Sequence, residues 1–233
     1  MKIKTLLSSL SVVALGVCGL GVPTRHGQAG PVSSHAQVDD ATLKRVIREQ
    51  GLQGAAHLQG HYVSVATAPC WPSHTLETIT EDSALVLVDT PLTNVCKLDS
   101  EGDGITTDYQ VSVNEAIKGD LAPGSVITVS IPGGRVEFPD GTSAEVRVQD
   151  FRKMENGKTY VLFLRSGQPG SEKFITTGAA QGLFEVPSDG SGVKPHGSSI
   201  NNVCKENQGK PITTFLKEVR AFAKKWPDLP SCC

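Results

Sequence analysis

Hydrophobic positions first fall into a helical rhythm at residues 40–50, where Leu43, Val46 and Ile47 share one face. Asp39 or Asp40 offers an N-cap and Gly51 ends the run. Residues 51–73 keep no clear period and carry Gly54, Gly60, Pro69 and Pro72, so a lead-in that is first helical and then irregular is expected over 37–73. One or two helical turns over 75–82 then run into the apolar stretch 84–88, too short for a helix and suited to a buried strand. Tyr109, Val111, Val113 and Ile117 alternate with polar residues and stop at Gly119-Asp120, as a half-buried strand should. Ile127, Val129 and Ile131 alternate again up to Pro132-Gly133-Gly134. Residues 135–138 and 144–148 flank Pro139-Asp140-Gly141, which predicts a hairpin.

Residues 159–164 are almost continuously apolar, and 174–186 form a strand pair or one strand bent at Gly178 and Gly182. A stretch rich in Ser, Gly, Pro and Asn at 187–202 reads as a flexible connector. Beyond it Ile212, Phe215, Leu216, Val219, Phe222, Ala223 and Trp226 keep helical spacing between Pro211 and Pro227. That stripe predicts a helix packed on the strands. The expected fold is mainly β, a small partly open barrel over 74–186, with a short N-terminal helix and a C-terminal packing helix in the 187–233 segment.

The order Cys70-x3-His74, Ser83 with the apolar run 84–88, Tyr109-Gln110-Val111-Ser112-Val113 ending in Ile117-Lys118-Gly119, residues 125–131, and Gly157-Lys158-Thr159-Tyr160-Val161-Leu162 resembles the netrin-like module. The tissue inhibitors of metalloproteinases, which are OB-fold barrels, share this order. The resemblance spans about residues 70–186 and implies an OB-like barrel that binds a partner. It also implies that Cys70 aligns with the N-terminal cysteine whose α-amino group and carbonyl sit on a protease's zinc, with His74 following at a matching distance. The cysteines depart from the pattern: Cys96 lies in the first long strand connection, and the later strands carry none.

The chain start changes the setting. Lys2 and Lys4 precede an apolar run at 6–22, followed by Arg25, His26 and Pro31, which predicts a secretory signal peptide. Cleavage after Ala29 or Ala36 satisfies the small-x-small rule, so a mature terminus at Gly30 or Gln37 is expected, in a secreted or extracytoplasmic compartment. No other stretch approaches the roughly 20 apolar residues a spanning helix needs, so no membrane span is expected in the mature form. Cys70, Cys96, Cys204, Cys232 and Cys233 remain after cleavage, and an oxidising compartment favours their pairing. Closure of sparsely stapled loops predicts a Cys70–Cys96 bond and one from Cys204 to Cys232 or Cys233, each contributing roughly 3 to 4 kcal/mol in the chain-entropy view. The odd thiol leaves a disulfide-linked dimer open.

A net charge of -2 gives no basic excess for nucleic acid. His57, His61, Cys70 and His74 form a zinc-compatible set, but their spacing matches no common zinc module and a solvated lead-in is preferred. Residues 99–104 carry the first half of a calcium loop, with Gln110 where a bidentate glutamate belongs, so an acidic inter-strand loop is the better reading. No metal or cofactor is expected. No G-x-S-x-G elbow, H-E-x-x-H helix, phosphate loop or dinucleotide fingerprint occurs. The expected function is a non-enzymatic binding module for a protein or cell-envelope partner, with Cys70 and His74 as site residues. The alternatives are a metalloprotease inhibitor acting through Cys70 after further processing, and a secreted hydrolase whose site is assembled from distant residues.

Overall fold

The computed structural model describes residues 38–66, 72–149, 151–167, 170–198 and 201–227. The expected leader and its cleavage sites, Cys70, Cys232 and Cys233 lie outside them. Helix α1 (Asp40–Gln59) is capped by Asp39, whose carboxylate accepts from the Thr42 N–H at 2.9 Å. The helix does not end at Gly51. It kinks there, at φ 67° and ψ -164°, and resumes. The Leu52 N–H donates to the Gly102 carbonyl at 2.8 Å, and a Cβ at position 51 would stand 2.5 Å from the same oxygen. Only glycine lets the helix pass loop 99–104 so closely. The expected irregular lead-in is thus corrected: Leu52, Ala55 and Ala56 are buried, and strand β1 (His61–Ala66) follows.

Helix α2 (Leu76–Glu81) starts with a reciprocal Thr75–Thr78 capping box. At its other end the Lys118 ammonium donates to the carbonyls of Thr80 at 2.8 Å and Glu81 at 3.0 Å. The strands are β2 (Leu85–Leu98), β3 (Ile105–Lys118), β4 (Val126–Pro132), β5 (Gly134–Glu137), β6 (Ser143–Val148), β7 (Thr159–Ser166), β8 (Lys173–Thr176), β9 (Leu183–Val186) and β10 (Lys194–Pro195). Helices α3 (Asn202–Asn207) and α4 (Ile212–Lys225) complete the order. The larger sheet runs β10-β9-β7-β2-β3-β4-β8, and β7 also pairs with β8. That extra pairing joins β7, β2, β3, β4 and β8 into a barrel-like ring from which β9 and β10 extend. Ring neighbours are antiparallel except β4 and β8, which are parallel. The smaller sheet, β1-β6-β5, contains the expected hairpin and adds β1 parallel to β6. A 3-10 turn at Ala179–Gly182 makes the expected bend between β8 and β9. The described part of the 187–202 stretch, residues 187–198 and 201–202, is packed, not loose: it holds β10, and Val193 and His196 are buried.

Alternation distributes the side chains over separate cores. Leu85, Leu87, Tyr109, Val111, Val129, Tyr160 and Leu162 fill the ring. Val86, Val161, Phe163 and Phe184 point out of it, beneath Ile79 of α2, Val203 of α3 and Phe215 and Val219 of α4. Strand β7 therefore buries both faces from Tyr160 to Leu164, which is why its sequence is apolar over those positions. Leu52, Ala56, Ile105, Phe138, Ala144 and Val146 form a third core under the smaller sheet.

The α4 stripe is the main fastening of the outer layer. Phe215 meets Phe184 at a ring-centroid distance of 5.0 Å, and Phe184 meets Phe163 edge-on at 5.8 Å. Phe215→Ala should lower the unfolding free energy by about 3 to 5 kcal/mol, through lost apolar burial and the cavity left behind. Urea denaturation checks this, with Phe215→Leu expected to lose less.

Candidate functional site

The residues singled out in the sequence are not gathered at one place. His57, at the end of α1, is 3.0 Å from Asp140 in the β5–β6 turn, and this contact together with Thr142 holds the Asp140 carboxyl at about 2. His61 Nδ1 is 2.7 Å from Ser143 Oγ on β6. His74 donates its backbone N–H to Gln181 at 3.0 Å, accepts from the Val203 N–H, and sets its Nδ1 3.4 Å from Asp82. A Cβ at Gly178 would stand 2.8 Å from the His74 ring. His74 is thus a tie between α2, the 3-10 turn and α3. The three described histidines of the zinc-compatible set serve three separate joints, and Cys70 lies outside the described residues. Among the described residues no three His, Cys, Asp or Glu side chains are grouped to hold a metal ion.

The calcium-like loop is also engaged with itself. Asp99 Oδ1 accepts from the N–H groups of Gly102 at 2.7 Å and Asp103 at 3.2 Å, while Gln110 lies in β3 and donates to Thr128. Cys96 and Cys204 carry free thiols and no disulfide is formed among the described residues; the partners expected for them, Cys70 and Cys232 or Cys233, lie outside those residues. Cys96 Sγ rests 3.3 Å from Thr107 Oγ1. Cys204 sits in the outer core, where burial, opposed by a hydrogen bond from the Gly197 backbone, pushes its thiol up to about 11.

Two serines touch groups that could act as bases. Ser143 meets His61, but the neighbouring acid on that face, Glu145, is held by Arg147 at 2.9 and 3.2 Å. Ser143 is itself buried, and its contact pins β1 to β6. Ser130 donates to Asp108 on the ring's outer face, where Lys97 and Lys173 also converge on that carboxylate. Burial works against the charge, but Lys97, Ser130 and Lys173 outweigh it and hold the Asp108 carboxyl at about 2. A carboxylate so stabilised is a poor proton acceptor at neutral pH. Neither pair supplies the nucleophile, base and orienting acid in sequence that acyl transfer requires.

Among the described residues, a groove of about 330 Å³ with mainly apolar walls lies where the β3–β4 end of the ring meets the smaller sheet. Tyr109, Ile131, Val146 and Phe151 give it apolar walls, and Glu145, Arg147 and Lys153 stand along it. Two close approaches build its corner. The Thr107 hydroxyl donates to the Gly133 carbonyl at 2.6 Å, and a Cβ at Gly134 would stand 2.6 Å from that hydroxyl oxygen. Burial pushes the Tyr109 hydroxyl up to about 12, so it stays neutral. Sequence reasoning placed Tyr109 in a strand and Gly133-Gly134 in a turn. It missed the groove because three separated segments meet there only after the chain turns between β4 and β5.

Two buried titratable groups were missed as well. Asp89 continues the inward series Leu85, Leu87 on β2, opposite Tyr160 of β7, and is 0% exposed. Among the described residues neither of its carboxylate oxygens has a hydrogen-bond partner, and burial raises its pKa well above the ordinary carboxylate range. That alternation was legible; an acid at an inward position was the signal. His196, in the stretch after β10, is 4% exposed, stacks edge-on against Tyr160, and its Nδ1 lies 3.0 Å from the Arg152 carbonyl. Burial lowers its proton affinity more than the Arg152 carbonyl and Glu185 restore it.

The two groups act on stability in opposite directions. Folding keeps Asp89 protonated, so its contribution is full below the unfolded value of 3.8 and is lost as pH rises toward the folded value. Folding keeps His196 neutral, so its contribution is full above the unfolded value of 6.5 and is lost as pH falls toward the folded value. Asp89→Asn should therefore remove a fall in the folding constant that approaches about tenfold per pH unit as pH rises from the unfolded value of 3.8 toward the folded value. His196→Gln should make stability keep rising as the solution is acidified from about pH 6.5 to 5. Urea midpoints measured across these ranges check both; identical pH profiles for Asp89→Asn and the unsubstituted chain would contradict the first. Comparison with protein-family models finds no match for this chain, and comparison with curated proteins finds none.

Proposed function

We propose that this chain is an exported, non-enzymatic binding module built on a netrin-like OB barrel, and that it takes its ligand in the groove between the ring and the smaller sheet. The OB assignment is supported by five strands in a ring with β4 and β8 as its one parallel pair. The β5–β6 hairpin, placed between β4 and β7, and its partner β1 are this chain's own addition. The observation that carries the binding role is the groove itself: apolar walls, a few charged groups, and a volume at the small end of ligand sites.

The inhibitor route through Cys70 would require a cut between Pro69 and Cys70. That cut removes α1 and β1 together. It strips Leu52 and Ala56 from the third core and leaves β6 without the partner that pairs with it from His61 to Ala66. The intact form is therefore the functional one, with its terminus at Gly30 or Gln37. Intact-mass measurement of the exported protein, combined with an assay of that form against a metalloprotease panel, should give that terminus and no inhibition. A terminus at Cys70 with stoichiometric inhibition at the protease's zinc would overturn the proposal.

A further inference from the structure

The charges along the groove are not balanced. Arg147 and Lys153 stand there against Glu145, and Arg147 is already engaged with Glu145 through paired contacts at 2.9 and 3.2 Å. Lys153 is exposed, and among the described residues it forms no hydrogen bond or ion pair; its charge helps keep the Glu145 carboxyl ionised, after Arg147. Among the described residues that line it, the groove thus presents one cation in excess beside apolar walls made by Tyr109, Ile131, Val146 and Phe151. The Tyr109 hydroxyl, neutral in its buried setting, adds no opposing charge.

Resting on the reading of this groove as the binding site, we propose that its ligand is a small amphipathic carboxylate. Its apolar body, the size of an aryl ring or a short acyl chain, lies on Tyr109, Ile131 and Phe151, and its single negative head meets Lys153. The volume of about 330 Å³ suits a body of that size and is too small for a folded partner's surface. One net positive charge matches one carboxylate. An amine would face the same cation unfavourably, and an alcohol would keep the apolar contacts and lose the ion pair.

Phenylpropionate, phenylpropanol and phenylpropylamine share one apolar body and differ in the head, which makes them the probes. Titrated into the full mature chain and followed by amide shifts, phenylpropionate should perturb Val146, Arg147, Phe151 and Lys153. It should bind about fivefold more tightly than the alcohol, the range expected of a partly exposed ion pair. The amine should bind most weakly. Lys153→Glu, a surface change whose folding is checked by the unaltered amide signals of α4, should reverse the order of acid and amine. Equal binding of all three probes at the groove would refute the carboxylate assignment while leaving the groove a binding site. Absence of shifts at the groove with every probe at millimolar concentration would overturn both. Binding of a peptide with an apolar C-terminal residue at least tenfold more tightly than phenylpropionate would replace the small carboxylate by a peptide terminus.

Discussion

The first five residues of β2, Leu85 to Asp89, are enclosed on both faces and both edges, and this enclosure governs the larger sheet. Leu85 and Leu87 enter the ring, Val86 and Val88 lie under the helices, and β3 and β7 occupy the two edges. Because β7 also reaches β8, and β8 lies beside β4, the two edges of β2 are connected around the ring. A strand 14 residues long cannot follow such a ring without bending. Register shifts between Val86 and Leu87, Val88 and Asp89, and Pro91 and Thr93 supply the bends, since an unmatched residue twists and turns a strand locally. The far end of β2 then leaves the ring interior and brings Cys96 and Leu98 beside the third core.

The helical layer is held by apolar packing and aligned by charge. Glu115 on β3 receives Arg220 of α4 through contacts at 3.0 and 2.8 Å, and Glu77 of α2 receives Lys225 at 2.5 Å. Exposed pairs of this kind contribute at most about 1 kcal/mol each, so Phe215 and Val219 decide whether α4 docks and the ion pairs decide its register. Lys118 is different, being buried with its ammonium on the last carbonyls of α2. It closes a helix end that would otherwise present unpaired acceptors to the core. Gly119, next to it, has φ 90°, and a Cβ there would stand 2.2 Å from a Leu85 methyl. The Lys-Gly pair that ends β3 thus has a physical reason within this chain.

Legibility in the sequence followed the range of the forces involved. Alternation located the strands of the ring because each half-buried face repeats every second residue, and the α4 stripe was as plain. The second half of α1 was hidden because Gly51, Gly54 and Gly60 weaken local helix propensity, and its stability comes from burial of Leu52 and Ala56 in the third core. Strand β1 was hidden because His61, Val63 and Val65 face outward while Tyr62 and Ala66 face the third core, an alternation too weak in polarity to read. Ring closure depends on β7 pairing with β8 as well as with β2, which no local pattern encodes.

The same distinction separates the histidines from the groove. His57, His61 and His74 were conspicuous as residue types, yet each has a partner that fastens two parts of the fold: Asp140, Ser143, and Asp82 with Gln181. A polar group already engaged in this way must lose a contact before it can take a ligand, which sets a cost against any binding it gains. Lys153 has no such contact to lose, and the apolar walls beside it are fixed by the ring and the third core rather than by a ligand. Preformed walls reduce the ordering that binding must impose. Chemistry at this surface therefore follows from which groups folding leaves unengaged, and that is a property of the assembled corner between β4 and β5, not of any stretch of sequence.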